Sequence, residues 1–534
     1  MLAPSRPCRT RLVWLCLVAV GAALGLSRPA GAEIVLPMST QWIQSMGYSR
    51  DADCAPLPLG SHVFLTYDGA LRCLDALTGA ELWKTKVEED SSLVITTAPV
   101  AYRDSIIVGN SAGQLLRLKA DGTTVWKAET NSSVAPDPLV LDDLVIAAAK
   151  QEVAAYSAAT GKWQWSATLN SGVKYGPVTD GSSLYFLCYD GSVACVSASG
   201  RARWQVPVPS GPKTFPLTIA NDRVIVAAGT TLYTVGRTGV VRPFPELPAA
   251  IAGPVRVEGD TILVPCVDDR IIAVSTRSGR PERAPEYQTD GNVTSRPLLT
   301  ERSLIAATGS GLVYGFDRET GAVRWIYRCR APEQPLDEPE TVGVYAPLVA
   351  TDSTVYCLTG TGDLYSFTSA PGDSSGPQFA ACQPEPGGDP VSPEDTVVLS
   401  CAAYDDSTGV DPRYVELYLD DKPVSVRYDA PSGVITAVLA NPPEGSHVVR
   451  AVARDFRGNT NSYEWSFLVD PNAEPKEPEL DRLTGRTGAQ RGGAGGGMRG
   501  GGGGGGMRGG GGGGGMRGGG GGGMRGGGGG MRGR

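Results

Sequence analysis

The feature that most constrains this chain is a repeat, a glycine followed four residues later by a tryptophan. The pair recurs as Gly79/Trp83, Gly122/Trp126, Gly161/Trp165, Gly200/Trp204 and Gly321/Trp325. Degenerate copies stand at Gly239 and Gly279, where Pro243 and Arg283 replace the tryptophan. Successive glycines are 43, 39, 39, 39, 40 and 42 residues apart. Ahead of each lie two short apolar runs around a turn, as in VFLTYDGALRCLDA and LYFLCYDGSVACVSA. Such β-branched and aromatic runs, broken at Asp-Gly, are strand–turn–strand signals. A further run holding one proline precedes each hairpin, at Pro56, Pro99, Pro136, Pro177, Pro216, Pro254, Pro297 and Pro347. Four strands per unit, at a period of about 40 residues, predict an all-β chain built on a β-propeller.

Eight hairpins stand against seven motif glycines, so the last unit lacks an outer strand of its own. Trp42 precedes Pro56 by 14 residues, comparable with the 12 from Trp165 to Pro177. Residues 33–45 are therefore expected to supply the missing strand and close an eight-bladed ring over residues 33–370 without a free edge.

The strings DALTGAELW, SAATGKWQW, SASGRARW and DRETGAVRW resemble the repeat of pyrroloquinoline-quinone-type propellers. That family includes quinoprotein dehydrogenases and the propeller lipoprotein of the outer-membrane barrel-assembly machinery. The resemblance implies that Trp42, Trp83, Trp126, Trp165, Trp204 and Trp325 dock between neighbouring blades, as packing rather than as a binding site. In the dehydrogenases the resemblance further implies a quinone over the channel, two adjacent bridged cysteines, calcium and an aspartate base. This chain has no Cys-Cys dipeptide, no long insert to shelter a pocket and no Cys-x-x-Cys-His for haem. The expectation is a non-enzymatic scaffold with no cofactor, no metal and no catalytic residue; the alternative is a quinone-dependent dehydrogenase.

SAPGDSSGP then reads as a linker, placed at 371–377. Over 378–470, TVVLSCAAYDD, YVELYLDDKPVSVRYD, GVITAVLA, SHVVRAVARD and SYEWSFLVD have the spacing of a β-sandwich. VELYLDDKPV and GSHVVRAVARDFRGNTNSYEWSFLVD resemble bacterial immunoglobulin-like domains, with Asp455, Gly458 and Asn459 in the turn before the last strand. Cys382 and Cys401 fall on the first two strands and are the candidate disulfide. Asp405, Asp406, Asp411 and Asp455 offer oxygen ligands for calcium, but aspartate and asparagine at tight turns more often serve the backbone.

Both ends are compositionally distinct. Arg6, Arg9 and Arg11, an uncharged run from Leu12 to Leu26 and a small-residue site at Ala30-Gly31-Ala32 have the layout of a secretory signal peptide over 1–32. The run is shorter than the ~20 residues of a membrane-spanning helix. The expected location is extracytoplasmic: periplasmic, cell-surface or secreted. From Gly485 onward there are 33 glycines, eight arginines, five methionines and no acid, so 471–534 is expected to be a disordered spacer and tail. Setting aside those eight arginines and the four in residues 1–32, residues 33–484 carry −20 of the formal −8 total. So acidic a body argues against nucleic acid, and the tail has no aromatics to stack bases.

Two histidines, His62 and His447, leave no room for multi-His metal sites and little for triad chemistry. Nine cysteines follow the signal, an odd number. With Asp190-Gly191 as a two-residue turn, Cys188 faces Val193 and Cys195 faces Phe186, too far apart to bridge, and both are expected to be packed thiols. The expected partner is a protein or a cell-surface glycan, bound by a monomer. The acidic loop Arg328–Thr341 is the first candidate for contact.

Overall fold

The structure, a computed structural model, describes residues 34–47, 54–85, 94–209, 213–282, 285–330, 342–369 and 372–475. The signal-peptide expectation, the glycine tail and residues 331–341 of the acidic loop lie outside these. No helix of the described residues is long and apolar enough to cross a membrane.

Up to Thr368 the chain forms eight four-stranded antiparallel sheets, seven of them wound from consecutive strands. Their first strands are Leu57–Leu59, Val100–Tyr102, Leu139–Leu141, Val173–Thr179, Thr218–Ala220, Arg256–Glu258, Leu298–Leu299 and Val349–Ala350. Several of these touch the first strand of the next sheet, which places them innermost. The outer strands of the first seven sheets are Glu81–Thr85, Thr124–Glu129, Trp163–Thr168, Ala202–Pro207, Val241–Pro243, Tyr287–Gln288 and Val323–Arg328. The eighth takes its outer strand from the start of the described chain: Ser39–Ser45 pairs antiparallel with Asp363–Thr368, Ile43 opposite Tyr365. The strand is shorter than the expected 33–45.

Side chains alternate across each strand, so every sheet feeds two cores. In the second sheet Ile106 and Val108 pack against Phe64 and Cys73 of the first, while Ile107 packs against Val145 of the third. The same two-sided sharing runs through the following sheets. It returns to its start where Tyr356 and Leu364 of the eighth sheet meet Val63 and Leu65 of the first. The cores therefore form a closed cycle, which makes the fold a propeller.

Residue parity also corrects one expected register. Leu187 pairs with Val193 and Tyr185 with Cys195, so the turn after Cys188 holds three residues, Tyr189-Asp190-Gly191. Cys188 then enters the core shared with the third sheet and Cys195 that shared with the fifth. The two thiols occupy opposite faces, and burial pushes each up to about 11.

From Gln378 to Val469 two four-stranded sheets face each other. One runs in the order Gln378–Gln383, Thr396–Tyr404, Val434–Ala440, Arg427–Asp429; the other Lys422–Val424, Val410–Leu419, Gly445–Asp455, Thr460–Val469. Leu399, Cys401 and Ile435 from the first meet Leu417, Val449, Ala451 and Trp465 from the second in one core.

Ring closure depends on Trp42, which is 8% exposed and packed with Leu74 and Tyr356 across the seam between the eighth and first sheets. Trp42→Ala is expected to cost ~3–5 kcal/mol in denaturant unfolding, the usual range for a buried aromatic. An unchanged unfolding midpoint would contradict closure by this strand.

Candidate functional site

The repeat motif has a geometric purpose. Five of the seven motif glycines are each the seat of the tryptophan from the preceding sheet. Gly79 has φ +75°, and a Cβ there would lie 2.6 Å from the Trp42 ring. Corresponding seats hold Trp83 on Gly122, Trp126 on Gly161, Trp165 on Gly200 and Trp204 on Gly239. The indole N–H usually donates to the loop around the seat: Trp42 to Ala76 O (3.1 Å), Trp83 to Ala120 O (2.9 Å), Trp126 to Ala158 O (3.0 Å) and Trp204 to Arg237 O (2.8 Å). Trp165 Nε1 is buried without a partner. Where the motif lacks tryptophan, Phe244 covers Gly279 and Pro285 covers Gly321.

The seat itself is an Asx-type turn. In Asp75-Ala-Leu-Thr78-Gly79, Asp75 Oδ1 accepts from the Thr78 N–H (2.8 Å) and hydroxyl (2.9 Å), and the Gly79 N–H donates to Asp75 O (2.9 Å). Asp317–Gly321 is built alike.

Trp325, on the seventh sheet, has no such turn on the eighth, because the chain leaves the ring after Thr368. Its seat comes from the sandwich. Trp325 Nε1 donates to Thr408 O at 3.0 Å, and the ring is fully buried. Residues 405–409 read Asp-Asp-Ser-Thr-Gly and share the Asp-x-x-Thr-Gly pattern of 75–79 and 317–321. Asp405 Oδ1 accepts from the N–H groups of Ser407, Thr408 and Gly409 at 3.1, 2.7 and 3.0 Å. Gly409 has φ +79°, and a Cβ there would lie 2.3 Å from Ile326 O. The sandwich thus carries a further copy of the turn, between its strands Thr396–Tyr404 and Val410–Leu419.

Other contacts fasten the same place. Thr40, on the strand that closes the ring, donates its N–H to Ser407 O (2.9 Å). Tyr327 OH donates to Asp406 O (3.1 Å), and Arg330 holds both Asp406 oxygens (3.0 and 3.2 Å) while lying over the Tyr404 ring. Arg457 Nη2 reaches Pro37 O at 3.1 Å. The cavity left between ring and sandwich, lined by Arg328, Arg330, Tyr404, Asp405 and Tyr428, is about 20 Å³, water-sized and too small for a substrate.

The calcium expectation is partly re-sorted. Asp406 pairs with Arg330 and Asp411 with Arg413, so neither joins a cluster. Asp405 and Asp455 instead meet Asp373, a residue absent from the sequence reading, with one oxygen of each within 4.8 Å of the others. These carboxylates serve turns: Asp455 Oδ1 accepts from the N–H groups of Arg457, Gly458 and Asn459, and Asp373 Oδ2 accepts from the Thr408 hydroxyl. Cys382 and Cys401 stand as thiols, 7% and 0% exposed. Their sulfurs share a hydrogen bond, which holds Cys382 low and pushes Cys401 up. His447 has both nitrogens engaged, Nδ1 with Asp420 Oδ2 and Nε2 with Pro443 O, each at 2.7 Å. Burial opposes its charge, but those two bonds prevail and raise its pKa. Neither nitrogen is open to act as a base.

The two settings of one turn differ in charge. At Asp75 the Thr78 N–H holds the carboxyl below the ordinary range. Asp405 is half-buried beside Asp373, and loss of hydration pushes it up to about 6 despite its three N–H donors. A carboxyl that is a weaker acid when folded binds its proton more tightly in the folded state. Stability from this group is therefore greatest at low pH and falls as pH rises from about 4 to about 6. Asp405→Asn, which keeps the acceptor oxygen, is expected to raise the Tm at pH 7.5 and to converge with the parent near pH 4. A variant less stable than the parent at pH 7.5 would contradict this.

A family model described as outer membrane protein assembly factor BamB matches residues 67–242 and 189–411, together more than half of the chain. Outer membrane protein assembly factor BamB of Burkholderia pseudomallei (strain K96243) is 30% identical over 129 residues, 24% of this chain and 32% of that protein. The chain thus spans about a third of that relative's length. Among solved structures, the computationally designed Ika8 protein matches 63% of this chain and 100% of its own, with TM-score 0.50 and 14% identity. Sqt1 of Saccharomyces cerevisiae matches the same shares with TM-score 0.50 and 10% identity. At such identities the structural likeness is one of fold alone. With its cyclic cores and seated tryptophans, the chain belongs to the pyrroloquinoline-quinone-type repeat β-propeller family whose model is described as outer membrane protein assembly factor BamB.

Proposed function

We propose that this chain is a non-enzymatic extracytoplasmic scaffold that binds a protein partner on one face of its ring. One observation carries the reading: Tyr189 and Tyr345 are 72% and 56% exposed on the same face. In a four-stranded meander the turn between the second and third strands opens on the same side as the link to the next sheet. Tyr189 occupies such a turn and Tyr345 such a link. Asp68, Asp190 and Asp268 stand in turns of the same kind, so the face presents aromatic anchors among carboxylates. Exposed aromatics of this sort are the side chains that dominate protein interfaces. The family description, an assembly factor, supports a protein partner over a small substrate.

The sandwich is proposed to be immunoglobulin-like, supported by a strand order that pairs first, second, sixth and fifth strands in one sheet. It extends the rigid surface. The quinone-dehydrogenase alternative is disfavoured because the motif tryptophans are engaged between sheets, leaving none of them to stack on a planar cofactor.

The test places a photoreactive residue at position 189 or 345 in cells, with Trp163, 60% exposed on an outer strand, as the control position. The expected result is a discrete protein adduct from 189 and 345 and none from 163. Adducts from 163 alone, or glycan adducts from 189 and 345, would overturn the reading.

A further inference from the structure

We propose that Cys329 and Cys357 form a disulfide that staples the seventh sheet of the ring to the eighth. Cys329 follows the outer strand Val323–Arg328 of the seventh sheet, and Cys357 lies within Thr354–Leu358 of the eighth. Both belong to the core shared by those sheets, at 2% and 0% exposure, and both stand as thiols in this structure, as Cys382 and Cys401 do.

The backbone on each side is fixed. The Cys329 N–H donates to Gly311 O at 2.8 Å, and Cys357 pairs with Tyr365 in the ladder. Tyr365 spans the two positions: its hydroxyl accepts from the Arg330 N–H at 2.8 Å and donates to Arg330 O. One tyrosine therefore ties the chain beside Cys329 to the strand that carries Cys357.

Burial pushes Cys329 up first, and its hydrogen bond to Cys357 adds to the rise. Cys73 and Cys266 are also buried, each pushed up to about 12, but burial is followed there by a nearby aspartate and not by a second thiol. Two buried thiols in one core, each on hydrogen-bonded backbone, are placed to be joined by a bridge between the two sheets.

In the bonding step each thiol loses a proton and one electron, and the sulfurs join. The two electrons and two protons reduce a disulfide of an oxidant, either a thiol–disulfide oxidoreductase or a small-molecule disulfide, to two thiols. The folded core shields both sulfurs, so exchange takes place before the seventh and eighth sheets dock. Once closed, the bridge is out of reach of reductants.

The test refolds the full chain from the reduced, denatured state in a glutathione redox buffer. The product is then unfolded without reductant, alkylated, digested and mapped by mass spectrometry. The expected result is a linked pair of peptides carrying Cys329 and Cys357, lighter by two hydrogens than their sum and separated by reduction. Cys329→Ser is expected to render Cys357 fully alkylatable while leaving any Cys382–Cys401 link intact. Full alkylation of both Cys329 and Cys357 in the unsubstituted chain would overturn the proposal, and so would either of them linked chiefly to another cysteine.

Discussion

The contact on which the rest of this structure depends is an indole ring lying on a glycine of the next sheet. It needs a residue without a Cβ, held at positive φ, at the point where two sheets come closest. That requirement accounts for the glycine at every repeat, and the indole N–H accounts for tryptophan rather than another aromatic in four of the seams. Each seat also fixes the angle between neighbouring sheets, because the ring fills the gap that the diverging outer strands would leave. A closed cycle of such contacts covers both faces of every sheet and leaves only short inner and outer edges.

A cycle of eight sheets needs eight seats, and the chain spells only seven within the ring. The sandwich supplies the last through Asp405–Gly409, whose Thr408 carbonyl takes the Trp325 indole N–H while Gly409 lies on the backbone at Ile326. The neighbouring bonds from Thr40, Tyr327 and Arg330 draw the closing strand, the seventh sheet and the sandwich loop to one point. A half-buried aspartate at that point costs stability in its charged form. The turn that is solvated at Asp75 becomes electrostatically tuned at Asp405. The C-terminal sandwich is in this sense a structural part of the propeller.

Most of the ring was legible in the sequence because period, turn chemistry and the glycine–tryptophan spacing all point to one architecture. The closing strand was legible from the position of Trp42 alone. The register of Cys188 and Cys195 was not, since Tyr-Asp-Gly-Ser accommodates a turn of two or three residues and only packing chooses between them. The eighth seat was spelled in Asp405–Gly409 but stood outside the repeat's period, followed by no tryptophan, so spacing could not find it. Asp373 was invisible for a different reason: it sits in linker-like sequence, and only the fold brings it to Asp405. Cys329 and Cys357 likewise share a core although their separation in sequence carries no signal.

The central claim is that ring and sandwich are one cooperative unit because the sandwich completes the ring. Native-state hydrogen exchange across a denaturant series tests it most directly. The account predicts that amides of Val323–Arg328, in the seventh sheet, and of Val410–Leu419, in the sandwich, open with the same free energy and the same denaturant dependence. Sandwich strands that open at low free energy while Val323–Arg328 stays fully protected would contradict it.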